Sequence, residues 1–295
     1  MRIFVTGATG FIGSAVVKDL LEAGHEVLGL ARSDAGAQKL EAAGAQVHCG
    51  SLEDLETLRT GAAAADGVIH LAFIHTFPGF LGAPKKDQRA IEAMGAVLAG
   101  SNKPLVVAGG IIGLNPGQVL TEDFLPNYAK VPRKSEQAVM AWAGRGVRAS
   151  VVRLSPTVHG DGDHGFIAML VATARKKAKA VYVGDGKARW TAVHRLDAAR
   201  LFRLALEKGV AGGIYHGVAD EGVPFRDIAA VLGRKLNLPT IAKSGLSAVL
   251  ALGFLGFLAG IDGPASSQLT KQALGWVPTQ VSLIRDLEEG TYFPR

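Results

Sequence analysis

Cysteine is nearly absent from this chain. Cys49 stands alone among 295 residues, so no disulfide can close within the chain, and a reducing compartment fits that composition. Aromatic residues make up only 6%, and none interleaves with the densest basic run, Arg175-Lys176-Lys177-Ala178-Lys179. A groove for single-stranded nucleic acid alternates cations with stacking rings, so that run reads as a solvated helix end and nucleic acid is not an expected partner. The amino end lacks a basic segment followed by an apolar one. A strand pattern starts at Met1 instead, so no secretory leader is read there and the expected location is the cytoplasm. One stretch, residues 244–261 (SGLSAVLALGFLGFLAGI), is apolar enough to resemble a membrane span. It carries Gly245, Gly253, Gly256 and Gly260 and has no basic flank beyond Lys243. The expectation is a buried or interface helix lining a substrate lobe, with no membrane as a partner.

What is present is a globular composition, 48% hydrophobic and 20% charged with a net charge of +6. The surplus of positive charge suits a phosphate-bearing ligand. Strand and helix patterns alternate through the first half. Strands are expected at residues 1–5, 26–30, 45–48, 67–71, 104–108 and 147–154, with helices between them, including 84–99 and 132–144. Alternation of this kind predicts a doubly wound parallel α/β sheet. Beyond Ser155 the pattern loosens. Residues 214–217 and 223–238 read as a strand and a helix of a smaller lobe.

The most informative stretch is Val5-Thr6-Gly7-Ala8-Thr9-Gly10-Phe11-Ile12-Gly13. It joins a buried strand to a helix, which is how a dinucleotide diphosphate is gripped. Gly7 permits the tight turn, Gly10 lets backbone approach the phosphates, and Gly13 lets helix pack close to strand. The helix start offers unpaired N–H groups to the anion. The second strand ends Leu30-Ala31-Arg32-Ser33. An acid there would bond the ribose and repel a 2′-phosphate; a guanidinium and a hydroxyl favour NADP(H) over NAD(H). Asp34 is the competing feature, able to pair with Arg32 or to reach the ribose itself.

These segments resemble the extended and atypical short-chain dehydrogenase/reductases. Thr6 to Gly13 matches their TGxxGxxG loop. His70-Leu71-Ala72-Phe73 resembles the segment closing the fourth strand beside the cofactor. Val151-Val152-Arg153-Leu154-Ser155-Pro156-Thr157-Val158-His159-Gly160 is similar to the strand and loop passing the nicotinamide, and Val193-His194-Arg195-Leu196-Asp197-Ala198-Ala199 to their VHVxDxA segment. The resemblance implies a Rossmann domain over residues 1–158, to which 187–210 return. It also implies a small C-terminal substrate lobe made of 159–186 and 211–295. From it Thr6, Gly7, Gly10, Phe11, Ile12, Gly13, Arg32, Ser33, Leu71, Ala72, Phe73, Arg133 and Pro156 are expected around the cofactor.

The family's usual engine is a tyrosine and a lysine at i, i+4 with a serine after the fifth strand. Here Val107-Ala108-Gly109-Gly110-Ile111 has no hydroxyl at the serine position, and Tyr128 has Pro132 four residues on. The chain looks most like the atypical branch without that pair, some of which carries a histidine and an arginine instead. Arg133 matches that arginine, while the histidine position holds Ala129. Candidate catalytic residues are Arg133 and Lys134 as fixed cations at a helix start, Tyr128 from its loop, and His159 or His164 as proton carriers in His159-Gly160-Asp161-Gly162-Asp163-His164. No ligand spacing for a metal is seen. Trp190 and His194 flank the return to the main domain, and His75, Phe77, Phe80, Leu81 and Phe254 hint at a partly apolar pocket. Three functions stay open. They are an NADP(H)-dependent oxidoreductase acting on a small carbonyl, imine or activated alkene, a redox-neutral epimerase or lyase holding NADP tightly, and a non-catalytic NADP(H) sensor. By analogy a homodimer is possible.

Overall fold

The computed structural model describes residues 1–74 and 82–293. The pocket residues expected at His75, Phe77, Phe80 and Leu81 lie outside them. The first half alternates as β1 (Arg2–Thr6), α1 (Phe11–Glu22), β2 (Glu26–Ala31), α2 (Asp34–Ala42), β3 (Gln46–Cys49), α3 (Leu55–Ala63) and β4 (Gly67–His70). It continues through α4 (Ala83–Leu98), β5 (Pro104–Gly110), α5 (Ser135–Ala143) and β6 (Arg148–Leu154). Then come β7 (Thr157–His159), α6 (Phe166–Lys177), β8 (Ala180–Val183), β9 (Arg189–His194), α7 (Arg195–Lys208) and β10 (Gly213–Gly217). The chain ends with β11 (Asp220–Pro224), α8 (Phe225–Leu236), β12 (Thr240–Lys243), α9 (Gly245–Leu252), α10 (Phe254–Leu258), α11 (Gln268–Leu274) and α12 (Leu283–Glu289).

Seven strands form one parallel sheet in the order β10-β6-β5-β4-β1-β2-β3. Ile3, Phe4 and Val5 of β1, and Val68 and Ile69 of β4, are fully buried, as strands covered on both faces must be. One face packs with α1 and α7 around Val16, Leu20 and Phe202; the other packs with α3, α4 and α5 around Leu58, Met94 and Trp142. Connections reverse direction between β1 and β4. A crevice therefore opens at the carboxyl ends of those strands, where such sheets bind ligands. The buried stripe of α4 runs Ala83, Asp87, Ala90, Ile91, Met94, Leu98, the i, i+4, i+7 pattern of a core-facing helix. Asp87 is the one charged member of that stripe.

The strand expected at 214–217 in the smaller lobe is instead the edge strand β10 of the main sheet, pairing with β6 from Gly213↔Ser150 to Gly217↔Leu154. Its alternating apolar pattern is that of any half-covered strand, and only its partner decides where it belongs. The lobe consists of the three-stranded sheet β11-β9-β7, the pair β12-β8, and helices packed around Trp190. Trp190 lies edge-on to Phe225 at 4.9 Å. Burying the Phe225 side chain stabilises by roughly 1.5–3 kcal/mol.

Two helix expectations are corrected. The helix expected over 132–144 starts only at Ser135, with Lys134 at its N-cap. Pro132 and Arg133 stay outside because the Arg133 side chain is drawn back toward Asp87 and the Ala108 carbonyl. The stretch 244–261 is not one buried helix. It breaks at Gly253 (φ +63°) into α9 and α10, and Leu246, Leu250, Phe254 and Phe257 point outward, 60–73% exposed. No helix of the described residues is long and apolar enough to cross a membrane.

Candidate active site

The crevice is floored by the turn between β1 and α1. Gly7 sits at φ +70°, a conformation that L side chains rarely adopt. A Cβ on Gly7 would meet the Ala72 nitrogen at 2.7 Å, and one on Gly13 would meet the Gly7 carbonyl oxygen at 1.9 Å. Backbone thus occupies the space of both side chains. The Gly10 N–H closes the turn onto the Gly7 carbonyl at 3.0 Å. Gly10 caps α1 without a side-chain bond, and no acid stands in the first turn. The amides of Phe11, Ile12 and Gly13 therefore form an unneutralised positive end, and the cradle fits a dinucleotide diphosphate.

At the tip of β2, Ser33 caps α2 by accepting from the Gly36 N–H at 3.3 Å. Arg32 and Asp34 are both exposed. Neither forms an ion pair among the described residues, so the competing Arg32–Asp34 pairing is not made.

A buried chain of hydrogen bonds runs beneath the crevice. The Ala72 N–H reaches Thr6 Oγ at 3.4 Å, and Thr6 Oγ lies 2.7 Å from His70 Nδ1. His70 Nε2 is 3.3 Å from Asp87 Oδ1. A carboxylate only accepts, so Nε2 carries the ring hydrogen and Nδ1 accepts from Thr6. Arg133 donates to both Asp87 oxygens at 3.3 and 3.2 Å, to Ser135 Oγ at 2.7 Å and to the Ala108 carbonyl at 2.9 Å, and it covers the Phe73 ring at 4.1 Å. The Ser135 hydroxyl also donates to Asp87. Burial opposes ionisation of Asp87, but His70, Arg133 and Ser135 outweigh it and hold its carboxyl below the usual value. Arg133 is thereby a fixed cation at the exit of β5.

A second network lies beside it. Tyr128 donates to Glu136 Oε1 at 2.7 Å, and Glu136 takes a two-pronged contact from Arg153 at 2.8 and 2.7 Å. Arg153 is wholly buried on β6 and also contacts His216 Nε2 at 3.3 Å and the Phe124 carbonyl at 2.9 Å. His216 Nδ1 is 2.7 Å from the Ser266 carbonyl. That carbonyl needs a donor and Arg153 offers only hydrogens, so His216 is the neutral Nδ1–H form. Burial pulls its pKa down to about 4. Burial, then the Glu136 carboxylate, pushes the Tyr128 phenol well above its usual value. Lys134 Nζ donates to the Tyr128 carbonyl.

The loop after β7 separates the two candidate histidines. His159 is wholly buried, with Nδ1 on Asp286 Oδ2 at 2.7 Å and its ring edge-on to His194 at 5.3 Å. It belongs to the lobe interior. His164 is exposed and meets the Phe11 ring edge-on at 5.7 Å, which places it at the glycine turn. Pro156 is half-buried between β6 and β7, and Trp190 is a core residue. Among the described residues no three or more His, Cys, Asp or Glu side chains are grouped to hold a metal ion.

The structure therefore gathers Thr6, Gly7, Gly10, Phe11, Ile12, Gly13, Leu71, Ala72, Phe73 and Arg133 at the ends of β1, β4 and β5, and leaves His159 apart. Sequence reasoning missed His70, Asp87, Ser135, Glu136 and His216 as members of site-supporting networks. The available signals were Asp87 on the apolar stripe of α4 and a charge, Arg153, following the apolar pair Val151-Val152 in β6.

The model of the NAD dependent epimerase/dehydratase family matches residues 3–95 and 122–216. An uncharacterized protein of Schizosaccharomyces pombe, C2A9.02, is 50% identical over 296 residues, covering 99% of this chain and 100% of its own. YLL056C of Saccharomyces cerevisiae, likewise uncharacterized, is 45% identical, covering 97% and 98%. A ketoreductase of Stigmatella aurantiaca acting on 4-hydroxy-2-methyl-3-oxo-4-farnesyl-3,4-dihydroquinoline-1-oxide is 28% identical, covering 79% and 72%. Among solved structures, gox2253 superposes with TM-score 0.77 at 21% identity, covering 94% and 93%. The dTDP-glucose 4,6-dehydratase DesIV of Streptomyces venezuelae, with NAD and TYD bound, superposes with TM-score 0.76 at 21% identity, covering 98% and 96%. Both share the fold.

Proposed function

The chain belongs to the NAD dependent epimerase/dehydratase family, and on that premise we propose that it is an NADP(H)-dependent oxidoreductase acting on a small carbonyl, imine or activated alkene. The observation that carries the choice of nucleotide is Arg32. It stands exposed after β2 with no ion pair among the described residues, and no carboxylate closes that strand.

When bound, the nicotinamide supplies hydride exchange; the protein supplies the rest. The amides of Phe11, Ile12 and Gly13 at the start of α1 would hold the diphosphate. Arg32 and the Ser33 hydroxyl hold the 2′-phosphate. Arg133, braced by Asp87, Ser135 and the Ala108 carbonyl, presents a charge that would stabilise the electron-rich carbonyl oxygen or imine nitrogen beside β5 without having to reorganise. Tyr128 carries a hydroxyl on the loop leading into α5, and its raised pKa keeps that hydroxyl protonated.

Titration calorimetry tests the nucleotide reading. NADPH should bind about tenfold or more tighter than NADH, and Arg32→Ala should remove most of that margin, the scale of one charge-assisted contact. Equal affinities in the wild type would refute it. Loss of reduced-nicotinamide absorbance across a panel of carbonyls, imines and enones tests turnover. A second reading, a dinucleotide sensor without turnover, draws on the commitment of Tyr128 to Glu136 and of Lys134 to a backbone carbonyl. It predicts tight NADPH binding with no consumption on any member of that panel.

A further inference from the structure

The glycine turn has a second wall, formed by charges that the sequence mixes and the fold sorts. In the loop after β7, Asp161 and Asp163 precede His164, and His164 and Arg195 both reach the Phe11 ring at the start of α1. Asp161 and Asp163 are turned toward the C-terminal segment. Asp161 accepts from the Thr291 hydroxyl at 2.5 Å, and Asp163 accepts from the Tyr292 phenol at 2.7 Å and from the Gly165 N–H at 2.6 Å. Asp197, in the first turn of α7, is occupied by the Thr279 and Gln280 amides, both at 2.9 Å, and by Arg200 at 3.1 Å.

What remains facing the turn is cationic or neutral. The Arg195 guanidinium covers the Phe11 ring at 5.2 Å, and His164 meets the same ring at 5.7 Å. Phe11 is the first residue of α1. Beside Arg195 lies Gly162, where an added Cβ would stand 3.9 Å from Nη1. Arg195 forms no ion pair among the described residues, whereas Arg133, Arg153, Arg189, Arg200 and Arg203 each hold a carboxylate. A guanidinium resting on a ring, with Asp161, Asp163 and Asp197 bonded elsewhere, still lacks an anion among the described residues.

We infer that Arg195, parked on Phe11, closes the open side of the diphosphate site. It opposes the α1 amides, so the anion is held between a helix start and a guanidinium fork. This inference rests on the nucleotide reading above, and the experiment separates the two. NADP+ and NAD+ share the diphosphate and differ in the 2′-phosphate. Arg195→Ala should therefore weaken both by about tenfold in calorimetry, one charge-assisted contact, and leave their ratio unchanged. Arg32→Ala should change the ratio alone. Arg195→Lys keeps a charge but loses the fork and the ring contact, and should fall between wild type and Arg195→Ala. Melting temperatures near wild type for both Arg195 variants show that the effect is on binding.

Unchanged affinity in Arg195→Ala overturns the inference while the nucleotide reading stands. So does a loss confined to NADP+, which would assign Arg195 to the 2′-phosphate. If the wild type binds neither nucleotide, both fall together.

Discussion

Replacing Asp87 by Asn tests whether the buried chain beneath the crevice organises this protein. Asp87 is 1% exposed and accepts from His70, Arg133 and Ser135. The amide keeps the shape, removes the charge and turns one acceptor into a donor facing other donors. Breaking one side of a buried ion pair costs about 3–5 kcal/mol. At about 2 °C per kcal/mol for a chain of this size, the melting temperature should fall by roughly 6–10 °C. The loss should depend on pH in one direction. The folded carboxyl titrates below its usual value, so its stabilisation is complete above the unfolded value of about 3.9 and disappears as pH falls through the lower, folded one. The gap between wild type and Asp87→Asn, followed by scanning calorimetry from neutral pH into acid, should therefore be widest at neutral pH and shrink below about pH 4. A variant melting within about 2 °C of wild type at neutral pH, or a gap that persists in acid, would show that the network contributes little.

Three further outcomes follow from the same physics. Gly13→Ala forces a Cβ to within 1.9 Å of the Gly7 carbonyl oxygen, so nucleotide binding should be abolished in calorimetry even where circular dichroism still shows a folded sheet. Tyr128→Phe removes a donor from a carboxylate and should cost about 1.5–3 kcal/mol in urea unfolding, with turnover lost as well if the phenol donates the proton. His216 has a folded pKa of about 4 against an unfolded one near 6.5, so the unfolded chain takes the proton first as pH drops. Stability should then decline by about 3 kcal/mol between those two values and level off below, and His216→Gln should show a flatter slope in pH-dependent urea melts.

Much of the fold was legible because parallel strands buried on both faces leave apolar runs of fixed length, and because a turn that only glycine can make announces itself at Gly7 and Gly13. The family resemblance followed from the order of those segments. Misjudged elements were those whose fate is decided by distant partners. β10 carries no mark of which sheet it joins. Pro132 looked like a helix start, but the reach of Arg133 toward Asp87 holds that turn outside the helix. The stretch 244–261 was apolar enough to suggest one buried helix, yet Gly253 bends it and leaves one face to water. Asp87 was hidden by its neighbours Lys85, Lys86, Gln88 and Arg89, which give α4 a polar look. Its spacing to Ile91 and Met94 was the mark of burial, and a carboxylate on such a stripe requires a cation or donor close by.

His70 is sealed from water and tethered at both ring nitrogens. An imidazole so held cannot swivel without rupturing two bonds together, and its Nε2 proton can trade with solvent only when the surrounding strands part. Its Nε2 proton should exchange slowly, which gives the molecule a native reporter positioned between the glycine turn and the arginine beside β5. Shifts in that proton's resonance would track events at either end of the relay without any label being introduced.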